Sequence, residues 1–358
     1  MIKTANSSTE DNSTDKKVDI NLDLEEKLIK NLDFSNIEIM TSYLKGKNPK
    51  FVELFELKEF IGSGSESYVY KTIVKKNKRL LSSKIIKREK GEKININEYY
   101  ISKKLKNKNI IDSFGICKIK EGELDCLMTE YAKYGNLRDF QKKILKNNNL
   151  SESLLCYIAS QILNGLKYMH MNKITHFDIK PQNLIVDDFL NIKIIDFSVS
   201  LDYTKINTKT TKLPFRGTNY YIPPEVNNNK TIKNKDMNKI DLYSLGILLF
   251  TLGFGNYPFD LSYEETKDYK KEMEKCEREL RNKNQYSSHF FDFLKKILEK
   301  DINKRININE ALNHYWIKGA DILIDEKEKL SNNTIFLFYL ITNHCKSFND
   351  YVEKGNKF

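Results

Sequence analysis

The sequence predicts an α+β protein of two lobes, a small β-rich lobe with one helix followed by a larger, mostly helical lobe. Three observations carry that expectation. Between Phe51 and Tyr131 apolar residues fall in short alternating or continuous runs, such as Ser67 to Tyr70 and Leu80 to Ile86, with one helical stretch around Ile94 to Leu105. From Leu150 onward the spacing turns helical, through Leu154, Leu155, Ile158, Ile162, Leu166 and Met169, then Ile240 to Leu252, then Phe290 to Leu298. The composition, 40% hydrophobic with 20 Tyr and 20 Phe among 358 residues, is that of a chain able to bury a core.

The ends read differently. Residues 1–20, rich in Ser, Thr, Asn and Asp, are expected to be a disordered tail. Ile20, Leu22, Leu24, Leu28, Ile29 and Leu32 recur at roughly helical spacing and predict an N-terminal helical extension over 21–51. The polar stretch Asn227 to Asn238 reads as an inserted loop. A C-terminal helical extension is expected over 319–358, its apolar residues Ile335, Phe336, Phe338, Tyr339 and Leu340 packing back on the large lobe or docking a partner.

Sixty Lys and Arg against 49 Asp and Glu give a net charge of +11, which favours acidic partners. The abundance of Lys, Asn and Ile beside six prolines also fits the codon bias of an AT-rich genome. No compact basic and aromatic stripe suggests a specific nucleic-acid groove. The five cysteines have no short pairing interval, so thiols in a reducing compartment are expected. Neither a signal-peptide pattern nor a myristoylation glycine (Ile2 stands there) opens the sequence, and its longest apolar run, Ile335 to Ile341, is too short to span a bilayer. The expected location is the cytoplasm, with the nucleus as an alternative.

The residues suited to chemistry come in order along the chain. Ile61-Gly62-Ser63-Gly64-Ser65-Glu66-Ser67-Tyr68-Val69 sets two glycines between strand-like runs, where backbone N–H groups can approach phosphates closely. Lys84 follows in a strand and Glu98 in the next helical stretch, an ion pair able to aim an ammonium at phosphate oxygens. The strongest signal is His176-Phe177-Asp178-Ile179-Lys180-Pro181-Gln182-Asn183-Leu184 followed by Ile194-Ile195-Asp196-Phe197. These segments resemble the catalytic loop and metal motif of the eukaryotic protein kinases, and the chain is similar to the serine/threonine branch of that family, as a divergent protozoan-like member.

The resemblance covers roughly residues 52–318 and implies the two-lobed kinase fold, with a small lobe at 52–131 and a large one at 133–318. It implies Asp178 as catalytic base, Lys180 as a charge partner of the transferred phosphoryl group, and Lys84 paired with Glu98. Asn183 and Asp196 would hold Mg²⁺, or Mn²⁺ in its place. ATP would be contacted by Ile61, Gly62, Ser63, Gly64, Ser67, Val69, Lys84, Thr129, Glu130, Ala132, Asn183, Ile185 and Asp196, with Thr129 as gatekeeper and Met128 to Ala132 as hinge. Later landmarks look like the family's too: Gly217-Thr218, Pro223-Pro224-Glu225, Asp241 opening a central helix and bracing the catalytic loop, and Arg305 pairing with Glu225.

The departures carry their own expectations. Ser67 replaces the third glycine of the phosphate loop, Ser198 the glycine after Asp196-Phe197, and Ser82 a small apolar residue over the adenine. Phe177 replaces an arginine that reads activation-loop phosphate, so activity is expected not to need phosphorylation there. Asn136 and Gln182 stand where Arg-directed relatives carry acids, so the protein substrates are expected to be acidic rather than Arg-directed. Rival readings are a pseudokinase scaffold, suggested by Ser67, Phe177 and Ser198, and a small-molecule or lipid kinase of related fold.

Overall fold

The computed structural model describes residues 38–41, 54–63, 67–87, 97–119, 124–143, 149–206, 208–213, 215–258 and 286–320, with positions 274 and 278. The disordered tail expected at 1–20, most of the helical extension at 21–51, Gly64, and the C-terminal extension beyond residue 320 lie outside them.

The small lobe is one antiparallel sheet. Its strands are β1 (Glu38–Thr41), β2 (Phe55–Ser63), β3 (Ser67–Val74), β4 (Leu80–Lys87), β5 (Ser113–Ile119) and β6 (Leu124–Glu130), in the spatial order β1-β5-β6-β4-β3-β2. One helix, α1 (Asn97–Lys104), joins β4 to β5. β1 corrects the sequence reading: residues 38–41 were expected in a helical extension, yet pair with β5 from Glu38↔Lys118 to Thr41↔Gly115. The edge of β5 offers unpaired backbone groups, and strand addition there satisfies them.

Alternation explains where β4 aims its side chains. Leu81, Ser83 and Ile85 are buried, so Ser82, Lys84 and Ile86 share the opposite face, and all three line the cleft between the lobes.

The large lobe is built on three helices, α3 (Glu152–Met171), α4 (Lys239–Phe254) and α5 (Ser288–Ile297), with α2 (Leu137–Lys143) at its entrance and α6 (Ile308–Leu312) beyond. Ser151 caps α3 by accepting from the Leu154 N–H, and Asn307 with Glu310 forms a capping box on α6. At Gly246 in α4 an added Cβ would sit 2.7 Å from a Leu298 methyl, so the missing side chain lets the chain after α5 pack close. One apolar core runs through α3, α4 and α5, including Leu155, Leu163, Leu245, Phe290 and Trp316. Among the described residues no helix is long and apolar enough to cross a membrane, and Cys126 and Cys156 are buried thiols.

Short strands carry the loops above this core. They are β7 (Ile174–Thr175), β8 (Leu184–Val186), β9 (Ile192–Ile194), β10 (Leu201–Asp202), β11 (Thr210–Lys212) and β12 (Thr231–Lys233), paired β10 with β7, β8 with β9, and β11 with β12. β12 is the second correction, since it lies inside the stretch Asn227 to Asn238 read as an inserted loop. Backbone pairing with β11 supplies the order that its polar side chains do not announce.

Candidate active site

Lys84 is the hinge point of the cleft. Its Nζ lies 3.0 Å from both carboxylate oxygens of Glu98 on α1 and 3.1 Å from Asp196 Oδ1 of the large lobe. One ammonium therefore ties helix, sheet and metal motif together. Burial would push Lys84 down, but Glu98 and Asp196 outweigh it and hold the ammonium above its ordinary value. Burial would push the Asp196 carboxyl up; Lys84 and a hydrogen bond from Ser198 outweigh that and hold it at about 2. Ser198, which stands where the family has a glycine, thus helps keep Asp196 ionised.

The catalytic loop is held from below by one buried carboxylate. Asp241, at the start of α4, accepts from the His176 N–H at 2.9 Å through Oδ2 and from the Phe177 N–H at 2.9 Å through Oδ1, and His170 Nε2 lies 2.8 Å from Oδ2. This brace fixes Phe177 at a φ of 70°, a conformation costly for a bulky side chain. His176 completes the clamp. Its Nδ1 accepts from the Asp178 N–H at 3.2 Å, while Nε2 donates to the Ile195 carbonyl at 2.9 Å, linking the loop to the chain entering the metal motif.

Four side chains converge above that brace. Asp178 Oδ1 accepts from the Thr218 hydroxyl at 2.7 Å, and Oδ2 accepts from Asn183 Nδ2 at 2.8 Å. Lys180 Nζ sits 2.7 Å from both Asp178 Oδ2 and Thr218 Oγ1. The carboxylate is thereby oriented by a hydroxyl, an amide and an ammonium. Thr218 was read as a family landmark only. Its contact with Asp178 was not legible, because the two residues lie 40 positions apart.

The expected nucleotide contacts fall on one surface. Ile61, Gly62, Ser63, Ser67, Val69, Lys84, Thr129, Glu130, Ala132, Asn183, Ile185 and Asp196 all line a cleft of about 1070 Å³. The apolar side chains of Val69 and Ile185 come from opposite lobes, as a flat ring between them requires. Behind Thr129 the lining includes Ser102 and Ser113, whose hydroxyls bond each other at 2.6 Å. Asn136 and Gln182 also line it. Asn136 is occupied structurally, accepting from the Asp139 N–H and donating to the Asp139 carboxylate.

The site fits a divalent cation brought in with phosphates, which needs only one or two protein oxygens. Asn183 Nδ2 is committed to the Asp178 carbonyl and carboxylate, so the amide presents Oδ1 to the cleft. Asp196, whose carboxyl Lys84 holds below its ordinary value, would supply the second oxygen.

The following segment is anchored twice. Arg305, fully buried, forms a two-pronged ion pair with Glu225 at 2.7 and 3.0 Å, the pairing that the family resemblance implies. Gly217 has φ of +98°, and a Cβ there would lie 2.3 Å from the Phe177 carbonyl oxygen, so only glycine allows the segment to cross the catalytic loop. Phe177 itself, read as the loss of a phosphate-reading arginine, packs with Tyr203, Leu213, Val226, Ile232, Met237 and Ile240.

Comparison with known proteins agrees with this geometry. Residues 55–317 match the family described as protein kinase domain. The chain is 30% identical over 298 residues to serine/threonine-protein kinase dst2 of Dictyostelium discoideum, covering 80% of this chain and 24% of that protein. It is 30% identical over 286 residues to human myosin-IIIa, covering 77% and 18%, and 30% identical over 269 residues to D. discoideum serine/threonine-protein kinase pakH, covering 74% and 50%. The chain thus spans half or less of the length of these curated relatives.

Proposed function

The chain belongs to the protein kinase family, and from that premise we propose that it is an active serine/threonine kinase transferring the γ-phosphoryl group of Mg-ATP to protein hydroxyls. The observation that carries the reading is the convergence of Asp178, Lys180, Asn183 and Thr218, with Lys84 joined to both Glu98 and Asp196. A scaffold freed from catalysis has no need of that arrangement.

Each side chain has a task that its contacts support. Asp178, oriented through both oxygens, accepts the proton of the acceptor hydroxyl. Lys180 offsets negative charge beside it, and Lys84, held charged by two carboxylates, positions the nucleotide phosphates. Asn183 and Asp196 would hold Mg²⁺, or Mn²⁺, which when bound neutralises charge on the phosphates. Val69 and Ile185 enclose the adenine, and the Thr129 to Ala132 hinge offers its backbone.

The test is transfer of radiolabelled phosphate from ATP to a panel of Ser- and Thr-containing proteins. Asp178→Asn is expected to lower the rate by about 10²- to 10⁴-fold, the range for loss of a positioned base, without lowering the melting temperature by more than a few degrees. Incorporation that is unchanged in this variant would assign the activity elsewhere.

We also propose cytoplasmic action in signalling, to be checked by imaging a tagged chain; exclusion from the cytoplasm would refute it. Acidic rather than Arg-directed substrates are supported by the neutral Asn136 and Gln182, and a peptide library selecting Arg shortly before the acceptor would count against that preference.

A further inference from the structure

Between Asp202 and Asp236 the sequence contains one acidic residue, Glu225, and seven basic ones, Lys205, Lys209, Lys212, Arg216, Lys230, Lys233 and Lys235. Glu225 is buried and spent on Arg305. No carboxylate of this stretch therefore reaches the surface to offset the cations.

The β11–β12 ribbon organises part of this charge. Thr211 faces Ile232 across the ribbon, and these are the part-buried and buried members of their strands. Period-2 alternation then turns Thr210, Lys212, Thr231 and Lys233 to the other face, where all four are exposed. Lys209, Lys230 and Lys235 flank them and are exposed too. Among the described residues none of these five lysines is in an ion pair. The ribbon itself is well anchored: Asn234 accepts from the Thr211 hydroxyl at 2.7 Å, donates to the Thr208 carbonyl at 2.7 Å, and gives its backbone N–H to the Lys209 carbonyl at 3.0 Å. Charge is thus displayed on a fixed platform.

Its position relates it to the reaction. Lys212 precedes Thr218 by six residues, and six residues of chain reach at most about 20 Å. Thr218 touches the base Asp178. From this geometry we infer that the lysine face of the ribbon is a docking site for a carboxylate-rich segment of the protein substrate, lying about six or more residues from the acceptor hydroxyl. The inference rests on the kinase reading and gives it a substrate class. Single exposed charge pairs are weak, but Lys212 and Lys233 on the outer face, with Lys209, Lys230 and Lys235 exposed beside the strands, act together, and their effect falls with salt.

The experiment uses the full chain and two acceptor peptides that differ only in a distal tail, placed about six residues away, of Glu or of Gln. The Glu-tailed peptide is expected to show about tenfold higher kcat/KM, through a lower KM, and the advantage should shrink at high salt. Replacing Lys209, Lys212, Lys230 and Lys233 by Ala brings the ratio close to one, with kcat on the Gln-tailed peptide unchanged. Lys212→Glu with Lys233→Glu should invert the preference toward a Lys-tailed peptide, which a merely misfolded variant would not do. Equal kcat/KM on the Glu and Gln tails overturns the docking site while leaving the kinase reading intact. Phosphorylation of neither peptide counts against the kinase reading, and anisotropy of a labelled Glu-tailed peptide then decides docking without catalysis. Absence of lysine-dependent binding, or equally tight binding of an oligonucleotide through the same lysines, refutes it.

Discussion

The catalytic loop and the β11–β12 ribbon adjoin the same segment of chain but are held in opposite ways. The loop hangs on Asp241, a fully buried carboxylate whose two oxygens take backbone donors from His176 and Phe177. The ribbon is held by three residue pairs, the amide of Asn234, and the apolar underside formed by Ile232 against Phe177 and its neighbours. Buried charge with every oxygen assigned gives a geometry that has no second solution, which the proposed proton transfer requires. Backbone pairing over an apolar patch gives order with little side-chain identity, so the outer face is free to carry recognition.

The largest effect that would break this contrast is at the brace. Asp241→Asn presents one acceptor to two backbone donors that use different oxygens, leaving one orphaned; a loss of about 3 kcal/mol in urea unfolding and more than tenfold in transfer rate is expected. Next is Gly217→Ala, whose methyl group would force the activation segment off the Phe177 carbonyl. It should cost about 2 kcal/mol and reduce transfer more than the stability loss explains, seen as lowered kcat at a temperature where the variant is fully folded. Asn234→Ala removes hydrogen bonds from the ribbon alone; about 1 kcal/mol and a few-fold rise in KM for acidic peptides are expected, with kcat on neutral ones kept.

Two smaller expectations sharpen the comparison. Thr208, Thr210 and Thr211 changed together to Ala should leave most activity in place, because Phe177 substitutes an apolar anchor for a phosphate reader. Abolished transfer in that variant would show the ribbon to need phosphate after all. Asp196 ionises near 2, below its ordinary 3.8, so the ionised carboxylate contributes stability that is fully present above about pH 4 and lost as pH falls toward 2. The stability difference between the wild type and Asp196→Asn should therefore stay constant from about pH 5 to 8 and change only below about pH 4. A change centred near pH 6 would mean that Lys84 does not hold this carboxylate.

The sequence was informative where chemistry restricts residue type and spacing. Asp178, Asn183 and Asp196 stand out because their short spacing resembles the catalytic loop and metal motif of the protein kinases, while Lys84, Glu98 and the Arg305–Glu225 pair follow only from the order of that family's landmarks; the structure brings each pair into contact. The sequence placed Lys84 in a strand, and the structure shows which face it takes, the one lining the cleft. The ribbon was illegible for a physical reason: Thr210-Thr211-Lys212 and Thr231-Ile232-Lys233 hold a single strongly apolar residue between them, and their pairing energy lies in backbone groups common to every sequence. The same holds for β1, where an open sheet edge, and not the periodicity of the added segment, decides the conformation. Thr218 reaching Asp178 is a contact across the fold that no local spacing encodes.

The pair of hydroxyls behind Thr129 has a pharmacological consequence. Ser113 donates to Ser102, and Ser102 donates to the Tyr99 carbonyl, so the recess past the gatekeeper is lined by groups that already satisfy one another. A competitive inhibitor with an apolar arm there would leave the acceptor lone pairs of Ser113 Oγ unused, whereas an arm ending in an amide N–H would donate to them and extend the chain of bonds. Selectivity for this protein should therefore follow polarity at the tip of the arm, and Ser113→Ala should erase it.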